Sequence, residues 1–162
     1  MDKRRESRSK DERMPRLVLI LYASVSGNAE ALATHAADRL RAAGLDVELA
    51  NVANFPVARL AEARTLLVLA STWGEGASPP EAEEFCATLG AGGAGRLPEL
   101  RYAVLALGSR AYPDFCGCGR RIDEDLEKCG ARRLLPRVDC DTKYKADFER
   151  WLAVLLTVLT DQ

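Results

Sequence analysis

The sequence predicts an α/β domain: a three-layer sandwich in which a five-stranded parallel sheet is covered by helices on both faces. Three observations carry that expectation. Continuous apolar runs at 17–21 (LVLIL), 65–70 (TLLVLA) and 102–107 (YAVLAL) are too short to span a bilayer and suit strands buried on both sides. Helical patterns separate them, so parallel pairing through right-handed crossovers is the natural connection. Each run also ends abruptly in a loop of small and polar residues.

The elements follow in order. After the first run, SVSGN leads into a helical pattern with Leu32, Ala36 and Leu40 on one face and Gly44 as its stop. Leu45 to Leu49 alternates apolar and acidic residues, as a half-exposed strand does. A connector over 50–59, punctuated by Pro56, precedes the second run. Pro79-Pro80 then opens a helix with Glu81, Glu83 and Glu84 in its first turn, favourable for the helix dipole. Residues 90–95, GAGGAG, match GxGxxG literally but follow a helix instead of a strand, so they read as a flexible loop. A helix is expected from about Cys116 to Cys129, a last strand within Arg132 to Val138, and a closing helix from Tyr144 to Leu159.

At 162 residues the chain is long enough for one domain with a substantial core. Its formal charge of −1 conceals an asymmetry: residues 1–16 hold seven basic and four acidic groups, which leaves −4 for the rest. A disordered charged tail over residues 1–15 and a single domain over 16–162 are therefore expected. The acids interspersed in the tail favour a solvated leader over an arm for nucleic acid or membrane. The tail lacks the apolar stretch of a secretory signal, and five cysteines are an odd number for a disulfide framework. Reduced thiols in a cytoplasmic monomer are the expectation. With a single histidine, His35, in a predicted helix, no metal site is expected.

The chemistry is expected where the three buried strands end, because open α/β sheets bind ligands beyond the carboxyl ends of their strands. In the first loop, strand, small polar residues and helix N-terminus together point backbone N–H groups at one spot, which favours an anion. No Lys or Arg lies between Leu17 and Asp38, so neutral donors, including Ser24, Ser26 and Asn28, would hold it; a single terminal phosphate fits better than a triphosphate. The alternative is that Ser26 and Asn28 merely cap the helix. The second and third loops each present a large aromatic, Trp73 and Tyr112. A flat ring system between the two is the reading; ordinary packing is the competing one.

SVSGNAEALA resembles the phosphate loop of the flavodoxins. STWGEGASPPEAEEF and YAVLALGSRAYPDFCGCGRRIDEDLEKCGA resemble the second and third loops of the sulfite reductase flavoprotein and cytochrome P450 reductase branch. The segment GSRAYPDFCG is similar to the stand-alone MioC-type flavodoxins. The likeness covers Arg16 to Leu159 and is that of a short-chain member. It implies the flavodoxin-like fold with strand order 2-1-3-4-5 and non-covalent FMN. By this resemblance Ser24, Val25, Ser26, Gly27, Asn28 and Ala29 would hold the phosphate. Ser71, Thr72, Trp73 and Gly74 would line one face of the isoalloxazine ring. Leu107, Gly108, Ser109, Arg110, Ala111, Tyr112, Pro113, Asp114, Phe115 and Cys116 would line the other, with Tyr112 stacking. Ala77 and Ser109 stand where the family usually has acidic or Asp/Asn residues, which bears on partner choice and potential.

No catalytic triad or paired-acid constellation is visible, so the flavin would carry the chemistry. The implied function is a one-electron carrier, not a self-sufficient oxidoreductase. It would be filled by an NAD(P)H-dependent flavodoxin reductase and drained by a redox acceptor protein. The acidic stretch Glu75, Glu81, Glu83 and Glu84 would steer a basic partner, or simply be a solvated helix start. Three other readings stay open: the FMN domain of a diflavin reductase, an FMN-dependent NAD(P)H-quinone reductase, and a binding or regulatory module that has lost its flavin.

Overall fold

A computed structural model of the chain describes residues 17–73 and 76–161. The expected charged tail and the loop residues Gly74 and Glu75 lie outside them. Parallel pairing is found throughout the sheet, in the order β2-β1-β3-β4-β5. Its members are β1 (Leu17–Ala23), β2 (Asp46–Asn51), β3 (Thr65–Ser71), β4 (Arg101–Leu107) and β5 (Arg132–Arg133), with β6 (Val138–Cys140) pairing β4 further along. Four helices cover it: α1 (Asn28–Ala42), α2 (Glu83–Gly90), α3 (Gly117–Lys128) and α4 (Lys145–Thr160). Among the described residues no helix is long and apolar enough to cross a membrane.

The period of two along each strand divides the core in half. Leu19, Leu21, Leu66, Val68, Tyr102 and Val104 face α2 and α3. Val18, Ile20, Leu67, Leu69, Ala103 and Leu105 face α1 and α4. Residues 66–70 of β3 are fully buried, which is why that run is apolar without alternation. α1 meets the sheet through Ala29, Ala33, Ala36, Ala37 and Leu40, a face of small side chains that lets the helix lie close, while Leu32 is only partly buried.

The structure departs from the sequence expectations in three places. The connector after β2 is not featureless: two 3-10 turns, Val52–Asn54 and Val57–Glu62, bury Val52, Phe55, Val57 and Leu60 against the sheet. Asn51 caps the first turn, accepting from the Ala53 N–H at 2.9 Å. The helix expected from Pro80 begins as a 3-10 turn, Pro80–Ala82, so Glu81 precedes α2 and only Glu83 and Glu84 lie in its first turn. The last strand is split. Between its two pieces the edge advances five residues, Arg133 to Val138, while β4 advances three, Tyr102 to Leu105. Pro136, which has no N–H to donate, sits in that excess.

Candidate functional site

Four loops converge beyond the carboxyl ends of β1, β3, β4 and β6 around an open cavity of about 260 Å³. Val25, Ser26 and Asn28 line it from the first loop, Ser71 and Thr72 from the second. The third contributes Leu107, Gly108, Ser109, Tyr112, Pro113, Asp114 and Cys116. Asp141, Thr142 and Tyr144, unforeseen from the sequence, complete it from the fourth. They sit just past β6, so the rule that located the other loops would have found them had the last strand not been ended at Val138.

In the first loop the helix cap is Gly27, left-handed at φ 85°, and no side chain caps α1. Ser26 and Asn28 are thus not spent on capping, and the first-turn N–H groups of a 15-residue helix face the loop. Ser24 Oγ is buried without a hydrogen-bond partner. The Ser24 N–H is already engaged, donating to Glu81 Oε1 at 2.9 Å, while Glu81 Oε2 accepts from Asn51 Nδ2 at 3.0 Å. Of the predicted phosphate residues, Ser24, Gly27 and Ala29 do not line the cavity; Ala29, in the first turn of α1, is fully buried.

The second loop is a tight return. Trp73 and Ala77 pair through both backbone hydrogen bonds, at 2.8 and 2.9 Å, with Gly76 at φ 127° between them. Trp73 is 47% exposed and stands outside the cavity lining; Tyr112, 53% exposed, is part of it. Gly74 falls outside the described residues. Thr72 joins the neighbours: its N–H donates to Leu107 O at 3.0 Å and its Oγ1 accepts from the Cys118 N–H at 3.4 Å.

The third loop turns on itself through Tyr112 N–H to Ser109 O and Ala111 N–H to Ser109 Oγ, both 3.2 Å. Arg110, Ala111 and Phe115 do not line the cavity. The Arg110 guanidinium lies 4.9 Å from the Phe115 ring centre, and its backbone N–H donates to Asp141 Oδ1 at 3.2 Å. Two non-glycine residues are left-handed, Asp114 at φ 55° and Cys116 at φ 57°. Arg120 and Arg121 clasp the Asp114 carboxylate, and Arg121 also donates to Gly76 O, so one cluster ties the second loop to the third and to α3. Cys116 Sγ donates to Ala106 O and Cys140 O. Burial, reinforced by Asp139, pushes its thiol up to about 12, which removes it as a nucleophile at neutral pH.

No Lys or Arg lines the cavity among the described residues. Its two carboxylates are countered nearby, Asp114 by Arg120 and Arg121, Asp141 by Arg110 at 3.7 Å. The orphaned Ser24 hydroxyl, the uncapped helix start and the exposed aromatics fit a ligand with a phosphate at one end and a flat ring at the other.

A parallel sheet in this order with such a loop after its first strand is that of a mononucleotide-binding α/β protein. The flavodoxin family model matches residues 20–151. The chain is 38% identical over 148 residues to the sulfite reductase [NADPH] flavoprotein alpha-component of Neisseria meningitidis, and 38% over 144 residues to that of Bacillus subtilis. These alignments cover 91% and 89% of this chain but only 24% of either relative; the chain spans about a quarter of the curated relatives it matches. Among solved structures, the flavodoxin of Streptococcus pneumoniae TIGR4 superposes with a TM-score of 0.77 at 29% identity, covering 90% of this chain and 98% of that one. A cysteine-to-serine mutant of Pseudomonas aeruginosa flavodoxin gives 0.74 at 30%, covering 88% and 98%. The chain belongs to the flavodoxin family, with FMN as its cofactor.

Proposed function

We propose that this chain carries single electrons on FMN, taking them from an NAD(P)H-dependent flavodoxin reductase and delivering them to a redox acceptor protein in the cytoplasm. The observation that carries the proposal is the first loop, where a buried, partnerless Ser24 hydroxyl sits beside an uncapped helix N-terminus. The FMN phosphate would be held there by that hydroxyl, by Ser26 and Asn28, and by backbone N–H groups at the start of α1. Gly74 would lie beside the ring with Ser71 and Thr72, and Tyr112 would stack on it. Bound FMN supplies the redox chemistry, since it accepts electrons one at a time. The chain's own residues position it and limit water. Glu81 is committed to Ser24 and Asn51, so among the described residues of the acidic stretch the exposed Glu83 and Glu84 would steer a basic partner, an effect on encounter rate that salt would weaken.

The test is ligand preference. FMN binding, followed by fluorescence quenching, should exceed riboflavin binding at least tenfold, because each hydrogen bond to a charged phosphate contributes ~1.5–3 kcal/mol. Equal affinities would overturn the phosphate site. Reduction by NADPH alone should fail; rapid reduction would make the chain a self-sufficient reductase.

A second reading is favoured by one observation, the 38% identity to flavoproteins of which this chain spans a quarter. In that reading it is the FMN domain of a diflavin reductase and receives electrons within the same polypeptide. The intact mass of the protein from its native cells decides: 17.7 kDa for the stand-alone carrier, or a far heavier polypeptide.

A further inference from the structure

α2 and α3 lie side by side on one face of the sheet, and each brings a cysteine to their contact. Cys86 of α2 is half-buried; Cys118, in the first turn of α3, is fully buried. Cys86 packs against the core cluster that contains Cys118, at the contact of the two helices, and the two thiols are close enough to shift each other's titration. The remaining thiols, Cys116, Cys129 and Cys140, are buried.

We propose that Cys86 and Cys118 form a reversible disulfide, a redox-modification site that joins α2 to α3 behind the second and third loops. The oxidant is a small-molecule disulfide. The Cys86 thiolate attacks one of its sulfurs, forming a mixed disulfide and releasing one thiolate, which takes up a proton. Cys118 then loses its proton and attacks the Cys86 sulfur, displacing the second small thiol. Overall the protein gives up two electrons and two protons, and the small disulfide becomes two thiols.

The two positions suit the two roles. The half-buried thiol meets the oxidant, whereas the buried one needs only to reach its neighbour. The neighbouring Cys118 thiol, aided by Ser78 and the Arg121 cation, outweighs burial and holds Cys86 below the usual thiol range. The same neighbour, together with burial, pushes Cys118 up, so the half-buried Cys86 is the attacking thiolate and the buried Cys118 the resolving group. The link would also reach the cavity wall, because the Cys118 N–H donates to Thr72 Oγ1.

The test treats the full chain with oxidised glutathione at neutral pH, followed by intact mass and peptide mapping. The expected product has lost two hydrogen atoms and contains one cross-linked peptide pair, Cys86 with Cys118; dithiothreitol restores both thiols. Cys118→Ser should stop at a single glutathione adduct on Cys86, and Cys86→Ser should give neither product. Because substituting the buried Cys118 can itself unfold the chain, wild-type protein is also alkylated under denaturing conditions at intervals after oxidation. Cys86 and Cys118 should become protected together while Cys116, Cys129 and Cys140 alkylate fully. A lasting wild-type adduct on Cys86, a cross-link between other cysteines, or no reaction at Cys86 would each overturn the proposal.

Discussion

The first and third loops line the same cavity but are held by different means. The first turns on a left-handed glycine at position 27, with no side chain capping the helix it opens, and has a single long-range side-chain tie, from the Ser24 N–H to Glu81. The third forces Asp114 and Cys116 into the left-handed region, costing ~1–3 kcal/mol each, and holds them with groups on other elements. Arg120 and Arg121 fix Asp114, with Arg121 also donating to Gly76 O; Ala106 and Cys140 receive the Cys116 thiol. A loop of the first kind can be altered one residue at a time. A loop of the second kind fails together with its supports.

The largest effect should come from a residue that never touches the cavity. Asp123, 2% exposed on α3, accepts from Arg133 at 2.8 and 2.9 Å and from Arg137 at 2.9 Å, and so anchors the split edge beside the third loop. Asp123→Ala takes the shared buried carboxylate from two partly buried guanidiniums, leaving Arg133 with Glu127 and Arg137 with Asp139, and should cost about 3 kcal/mol of stability by urea unfolding. A loss within 0.5 kcal/mol, taken as roughly the size of a neutral surface change, would show that the edge does not rely on this cluster.

Gly76→Ala should come next. Its Cβ would sit 2.5 Å from Asp114 Oδ2 at a φ that side chains resist, for a loss of about 1–3 kcal/mol. Combined with Asp114→Gly, which removes the clash, the total should fall below the sum of the single changes. Simple additivity would break the claimed tie between the second and third loops.

The first loop should respond more mildly. A Cβ placed on Gly27 would have nothing within 4 Å, so Gly27→Ala meets backbone strain alone, about 1–2 kcal/mol. Smallest of all is Ser24→Ala. Without FMN it should leave stability unchanged or slightly higher, since it removes a buried hydroxyl that has no partner. With FMN, affinity should drop by ~1.5 kcal/mol, about tenfold, in the same quenching assay. Destabilisation of the FMN-free chain would mean that the hydroxyl serves the fold instead.

That contrast also explains what the sequence could show. β1, β3 and β4 announce themselves as apolar runs because burial on both faces leaves little choice of residue. Gly27 and the small polar residues beside it are legible for the same reason, as local geometry demands them. The break in the fifth strand is not: Pro136 and the excess residues around it are accommodated where Arg133 and Arg137 find Asp123 across the fold. Nor does any local pattern mark Arg121 as the link between Gly76 and Asp114, or Glu81 as the partner of the Ser24 N–H, since both depend on distant loops meeting. Asp141, Thr142 and Tyr144 escape notice because the strand that delivers them is expected to end too early.

The split edge has one more consequence. An edge strand offers unpaired N–H and C=O groups on which another chain can add itself, and long regular edges invite aggregation. Here β5 offers two residues and β6 three, separated by a proline-bearing detour flanked by arginines. Such an edge is a poor template for an incoming strand. The interruption that obscures this strand in the sequence also guards the protein against its own copies.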